Sequence, residues 1–162
     1  MDIHKKLAKA RKEKKEYRKL LNRLKSLKPS KADHLFQEQH KQVFQTVDCL
    51  ACANCCKTTS PMFSQNDISR IGKCLRMKPG DVIDQYLQLD DEGDYVLKSS
   101  PCTFLGEDNY CSIYEARPKA CREYPHTDRK KIQKLFPITE KNLLICPAVV
   151  GIVDGVREKL ER

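Results

Sequence analysis

Apolar residues recur along the first part of the chain at Ile3, Leu7, Ala10, Tyr17, Leu21 and Leu24, in steps of three, four or seven, with Lys14 interrupting the stripe. That rhythm predicts a long charged helix over about residues 3–27 with one narrow apolar face. Pro29 should stop it, and Ser30 can cap a second helix whose face carries Leu35, Phe36, Gln39, Val43, Phe44 and Val47. Ser64 and Asp67 have the spacing of a capping box, and Ile68, Ile71 and Leu75 mark a short helix that Lys78-Pro79-Gly80 should end. Another helix follows with Val82, Ile83, Tyr86 and Leu87. After a turn at Asp90 to Asp94, Tyr95 to Leu97 and Phe104-Leu105 read as short strands, and Cys111 to Tyr114 can pair back across the turn at Gly106 to Asn109. Pro118 opens a helical turn carrying Cys121. Pro147 opens a last helix with Val149, Val153, Val156 and Leu160 on one face. The fold class expected is mostly α with short β-hairpin segments: a small irregular α+β domain organised around a cysteine metal cluster and preceded by a long N-terminal helix.

Charge divides the chain sharply. Residues 1–31 hold 13 Lys/Arg against Asp2, Glu13 and Glu16, whereas residues 32–162 hold 18 basic and 19 acidic residues. The expected organisation is therefore a basic amphipathic helical arm over 1–31 and a nearly neutral metal-binding domain over 32–162. Such an arm attracts nucleic acid or a ribosome without specificity, a weak contact worth keeping as an alternative. No stretch reads as a secretory signal or a membrane span, and a Lys-rich arm containing Glu13 and Glu16 is unlike a transit peptide, so a cytoplasmic address is expected.

Nine cysteines in a reducing compartment require a use other than disulfides. Four fall within the octet Cys49-Leu50-Ala51-Cys52-Ala53-Asn54-Cys55-Cys56. Cysteines two residues apart let a tight turn aim both sulfurs at one ion, as in zinc sites, and two successive spacings of this kind also suit three corners of an iron–sulfur cluster. Spacing alone does not choose between them. Cys55 and Cys56 should diverge from regular backbone, which favours their serving neighbouring metals or bridging. Cys102, Cys111, Cys121 and Cys146 lie beside turns or prolines and complete a set of eight donors, enough for one or two four-coordinate centres. Cys74 falls mid-helix and reads as a buried thiol outside the set. His126, five residues after Cys121, is a competent ligand but more often a surface or hydrogen-bonded residue. Arg117 and Arg122 flank Cys121 and either offset thiolate charge or are solvated. No nucleophile–base pair, carboxylate pair or Gly-rich phosphate loop accompanies the cysteines, so no reaction is indicated.

The octet, Asp67-Ile68, Pro101-Cys102-Thr103-Phe104-Leu105, Tyr110 to Pro118, Cys121 to Pro125 and Cys146-Pro147, taken in that order, resemble the YkgJ-type CxxCxxCC family of candidate zinc- or iron-chelating proteins. The resemblance spans about residues 47–150. It implies eight ligands, namely Cys49, Cys52, Cys55, Cys56, Cys102, Cys111, Cys121 and Cys146, zinc or iron as the cofactor and a bacterial cytoplasmic setting. Flagellin lysine methylases carry a similar cysteine cluster of iron–sulfur type, which keeps a redox or enzymatic reading open, although this chain is short for their additional catalytic region. The expected function is metal chelation with a structural, storage or sensing role.

Overall fold

A computed structural model describes residues 2–162. Its helices are, in chain order, α1 (Ile3–Lys12), α2 (Lys14–Leu24), α3 (Pro29–Phe44), α4 (Cys49–Cys52), α5 (Asn54–Thr58), α6 (Gln65–Leu75), α7 (Pro79–Tyr86), α8 (Lys119–Glu123), α9 (Phe136–Asn142) and α10 (Pro147–Glu161). Strands β1 (Leu87–Leu89) and β2 (Tyr95–Leu97) pair antiparallel, with Leu87 opposite Leu97 and Leu89 opposite Tyr95. Helix covers 61% of the chain, which places it in the mostly α class with a small sheet. Among the described residues no helix is long and apolar enough to cross a membrane.

The chain divides into two compact units. The first combines the residues up to Asp48 with Pro125–Arg162, and the second is the intervening Cys49–Tyr124. The boundary expected between residues 31 and 32 matches neither unit.

In the first unit, α10 lies along α3, α1 packs on α10 and α2 packs on α9. Their shared core holds Tyr17, Leu20, Leu21, Leu24, Phe36, Phe136, Ile152 and Val153, with the Phe36 and Phe136 rings 5.6 Å apart between centroids. Where α10 crosses α3, a Cβ on Gly155 would run into the Gln39 side chain, so glycine is what lets the two helices approach. The long N-terminal helix expected from the sequence is two helices. The chain breaks at Glu13, where the Glu16 N–H bonds back only three residues to the Glu13 carbonyl (2.9 Å). The polar run from Arg11 to Glu16 gives the helix nothing to rest on the core, and its two halves follow different partners. The basic stretch is thus part of a core. Several of its cations are engaged as well, Lys9 with Asp154 (2.7 Å) and Arg18 with Glu140 (2.5 Å). Tyr17, buried beneath them, donates to Asp154 (2.8 Å), and burial followed by this hydrogen bond pushes its hydroxyl pKa up. A nucleic-acid or ribosome contact through residues 1–31 gains no support from this arrangement.

Two punctuation residues act differently from expectation. Pro29 opens α3 at its first position, with Lys28 as the N-cap in place of Ser30. Arg76, left-handed at φ 56°, ends α6, whereas Pro79 begins α7. Both prolines sit where a missing N–H costs nothing.

In the second unit, α6 and α7 form a helical hairpin that continues into β1 and β2. Its core holds Phe63, Ile68, Ile71, Val82, Leu87, Leu97, Phe104 and Ile113, with the Tyr86 and Phe104 rings 5.0 Å apart. Leu87, expected in the helix, starts β1. Phe104-Leu105, expected as a strand, makes a single antiparallel bridge from Leu105 to Cys111.

Candidate metal centre

Cys49 and Cys52 bracket the single turn of α4, three residues apart and therefore on one side of it. The turn ends at Ala53, which is buried (5% exposed) and left-handed at φ 46°, ψ 18°. Holding alanine there costs on the order of 1–2 kcal/mol. The Ala53 N–H donates to the Cys49 carbonyl (2.7 Å), and its own carbonyl receives the Lys57 N–H (3.1 Å) as α5 starts. The octet is thus two helical turns joined by one reversed residue. Cys55 and Cys56 follow directly in α5, with their Sγ atoms 4.0 Å apart.

A second segment is fastened onto this octet at two points. The Cys102 N–H donates to the Cys56 carbonyl (2.8 Å), and Asn109 Nδ2 donates to the Leu50 carbonyl (2.7 Å). Between those points the chain turns back on itself. The Gly106 N–H reaches the Tyr110 carbonyl and the Ser112 N–H reaches the Phe104 carbonyl, each at 2.8 Å, which sets Cys111 opposite Leu105. Cys102 and Cys111 are consequently carried on one hairpin-like loop whose base and tip both rest on the octet.

Cys121 belongs to a third segment, anchored through Asp67. This carboxylate is 3% exposed and accepts from the Ser64 N–H (2.9 Å), Ser64 Oγ (2.7 Å), Arg70 (2.7 Å) and the Lys119 N–H (3.1 Å). Arg70 also donates to the Arg117 carbonyl (2.9 Å), while the Arg117 guanidinium lies 3.6 Å from the centre of the Tyr114 ring. Burial alone would raise the Asp67 pKa. The hydrogen bonds from Ser64, Arg70 and Lys119 outweigh it and bring the carboxyl down to about 2.

The thiols bear on one another electrostatically. A hydrogen bond from Cys55, helped by the Cys56 N–H and Lys57 and opposed by burial, lowers Cys56 to about 6. Burial raises Cys102 and Cys111, and charge on Cys56 adds to both. Cys121 is pushed up to about 12, first by burial and then by Cys56, Cys102 and Cys111, with Arg117 acting in the opposite sense. Charge on Cys56 therefore bears on Cys102, Cys111 and Cys121 alike. A divalent ion held by these sulfurs would favour their thiolate forms, because coordination would replace the protons. None of the nine cysteines is in a disulfide. Among the described residues no three Cys, His, Asp or Glu side chains lie together as a group that could hold a metal ion.

Seven of the eight expected ligands lie in the second unit, and Cys146 lies in the first. Cys146 caps α10, donates its N–H to the Asn142 carbonyl (2.7 Å) and is half-buried against the aliphatic core. Cys74, expected to be buried, is exposed. It lies about a third of a turn away from the centre of the face on which α6 buries Ile68, Ile71 and Gly72. Its charge nevertheless reaches Cys111. His126 is half-buried at the left-handed φ of 65° and belongs to the first unit. The bonds from Arg70 and Lys119 to Asp67 had no signal in the sequence beyond the capping box, since Lys119 is 52 residues away.

No curated protein and no solved structure proved similar to the chain. Residues 48–140 do match a family profile, that of the CxxCxxCC proteins, described as a candidate zinc- or iron-chelating domain, and Cys146 falls outside the matched stretch. With more than half its length matched and the four-cysteine octet at the start of the match, the chain belongs to the CxxCxxCC family.

Proposed function

We propose that this protein binds zinc or iron through the thiolates of Cys49, Cys52, Cys55, Cys56, Cys102, Cys111 and Cys121, and that the metal fixes the loops of the Cys49–Tyr124 unit. The observation that carries this reading is the double attachment of the 102–112 loop to the octet, at the Cys56 and Leu50 carbonyls. A loop tied down at its base and tip beside four cysteines is suited to delivering two more sulfurs to the same place. Soft thiolate donors suit zinc and iron–sulfur centres and suit magnesium or calcium poorly. The unit's own scaffold is slight, with two three-residue strands and several helices of one or two turns. A structural metal contributes on the order of 10 kcal/mol of apparent folding energy, which would dominate its stability. A cytoplasmic setting, where thiols remain reduced, goes with this reading. Storage and sensing differ from a structural role in requiring the metal to exchange.

An iron–sulfur redox protein is the second reading, favoured by the successive two-residue spacings of Cys49, Cys52 and Cys55. Elemental analysis and visible absorbance of protein purified without oxygen test both. Stoichiometric zinc in a colourless protein supports the first reading. Iron with acid-labile sulfide in a brown protein supports the second. Metal content that stays the same after Cys52→Ser, Cys102→Ser and Cys121→Ser would refute thiolate chelation altogether.

A further inference from the structure

Cys55 and Cys56 were expected to point apart, because adjacent residues on a helix are rotated by about 100°. Their sulfurs instead approach to 4.0 Å and share a hydrogen bond. Two thiolates on one tetrahedral ion, each about 2.3 Å from it, lie about 3.8 Å apart along the edge of the tetrahedron. The pair is therefore already within a few tenths of an ångström of the spacing that a single ion requires. Thiolates capping different irons of a cluster, or different ions of a pair, splay outward and stand further apart than that edge. Building on the proposed thiolate chelation, we infer that Cys55 and Cys56 close on the same ion as a two-sulfur chelate.

The local backbone explains how neighbours achieve this. The left-handed Ala53 restarts the helix immediately before the pair, so Cys55 and Cys56 occupy the opening turn of α5. There the Lys57 and Thr59 N–H groups bond back to Ala53 and Cys55, fixing the backbone on either side while both side chains lean together. The Cys56 carbonyl, bonded to the Cys102 N–H, ties the same residue to the loop that carries the next candidate donor. Closing on the ion needs small rotations about the side-chain bonds and the loss of one proton from each thiol to solvent.

The test uses the full chain, stripped of metal under reducing conditions and titrated with Co²⁺ as a spectroscopic probe and with Zn²⁺ in competition. Cys55→Ser, Cys56→Ser and the double variant should each lose one equivalent of ion together with its sulfur-to-cobalt charge-transfer band, the double losing no more than either single. A double variant that loses two equivalents where each single loses one would overturn the chelate, as would either single variant keeping full stoichiometry and an unchanged band. Because a variant can fail to fold, a second measurement uses the unaltered sequence. Phenylarsine oxide exchanges its oxygen, released as water, for two thiol sulfurs. Proteolysis and mass spectrometry should find one arsenic joining Cys55 to Cys56, and arsenic joining either of them to a third cysteine would contradict the inference. An unaltered protein that binds neither Co²⁺ nor Zn²⁺ would overturn the chelation reading together with the chelate. Binding with independent behaviour of the two cysteines would overturn the chelate alone.

Discussion

Replacing Asp67 by Asn tests how the Cys121 segment is held. The carboxylate is almost fully buried and accepts four hydrogen bonds that converge from α6, its cap and the start of α8. An amide keeps one acceptor oxygen but turns an NH₂ toward these donors and leaves Arg70 without its counter-charge. The carboxyl's fall from 3.8 to about 2 corresponds to about 2 kcal/mol of stabilisation at neutral pH. Because the folded-state pKa is depressed, that stability is fully present above about pH 4 and is lost as the pH drops toward 2. Urea unfolding followed by circular dichroism between about pH 2.5 and 7, with the bound metal of each sample measured in parallel so that proton-driven metal release is separated from the effect of the carboxylate, reads this. The wild-type protein should be more stable than Asp67→Asn by about 2–3 kcal/mol at pH 7, the gap narrowing steadily with acid. Stability–pH curves that run parallel for the two proteins would show that the carboxylate charge is not what secures the segment.

Gly72→Ala should destabilise the α6–α7 hairpin by about 1–3 kcal/mol, since its Cβ would meet the Met77 carbonyl oxygen at 2.8 Å; an unchanged melting temperature would contradict the packing there. Deleting residues 2–24 should unfold or aggregate the first unit, because each buried Leu among Leu20, Leu21 and Leu24 contributes about 1.5–3 kcal/mol; a soluble, cooperatively melting truncation would restore the separable arm. Cys74→Ser should change stability by less than about 0.5 kcal/mol and leave metal stoichiometry unaltered, and loss of bound ion in this variant would make Cys74 a donor.

Local chemistry was legible in the sequence where the partners are close along the chain. The capping box of Ser64 and Asp67, the start of α10 at Pro147 and the turn linking Leu105 to Cys111 all depend on residues within a few positions of one another. The octet was equally plain as a concentration of thiols. What the chain hid is non-local. Charge counting made residues 1–31 look like a free arm, because Leu7, Ala10, Tyr17, Leu21 and Leu24 form too narrow a stripe to announce a core. Their burial is completed by α10 and α9, more than a hundred residues later. Nor could spacing show that Ala53 reverses the chain, since nothing but context makes alanine adopt that conformation. The convergence of Cys55 and Cys56 depends on that reversal.

Because the Cys49–Tyr124 unit is inserted within the sequence of the other, biosynthesis meets the two in a fixed order. As the chain leaves the ribosome, α1 to α3 emerge with Leu20, Leu21, Leu24 and Phe36 uncovered, and they wait for α10. The whole intervening unit appears in the meantime, with seven of its candidate donors already synthesised. Closing the outer unit while that insert is still a flexible coil carries the entropy of a long loop, and a folded, metal-bound insert shortens the loop to the span between its two ends. Metal supply during translation would then govern the yield of the helical unit that contains just one of the eight candidate cysteines. Pulse-labelled chains made with and without zinc should differ in the rate at which residues 3–44 become resistant to protease, and equal rates would separate the two events.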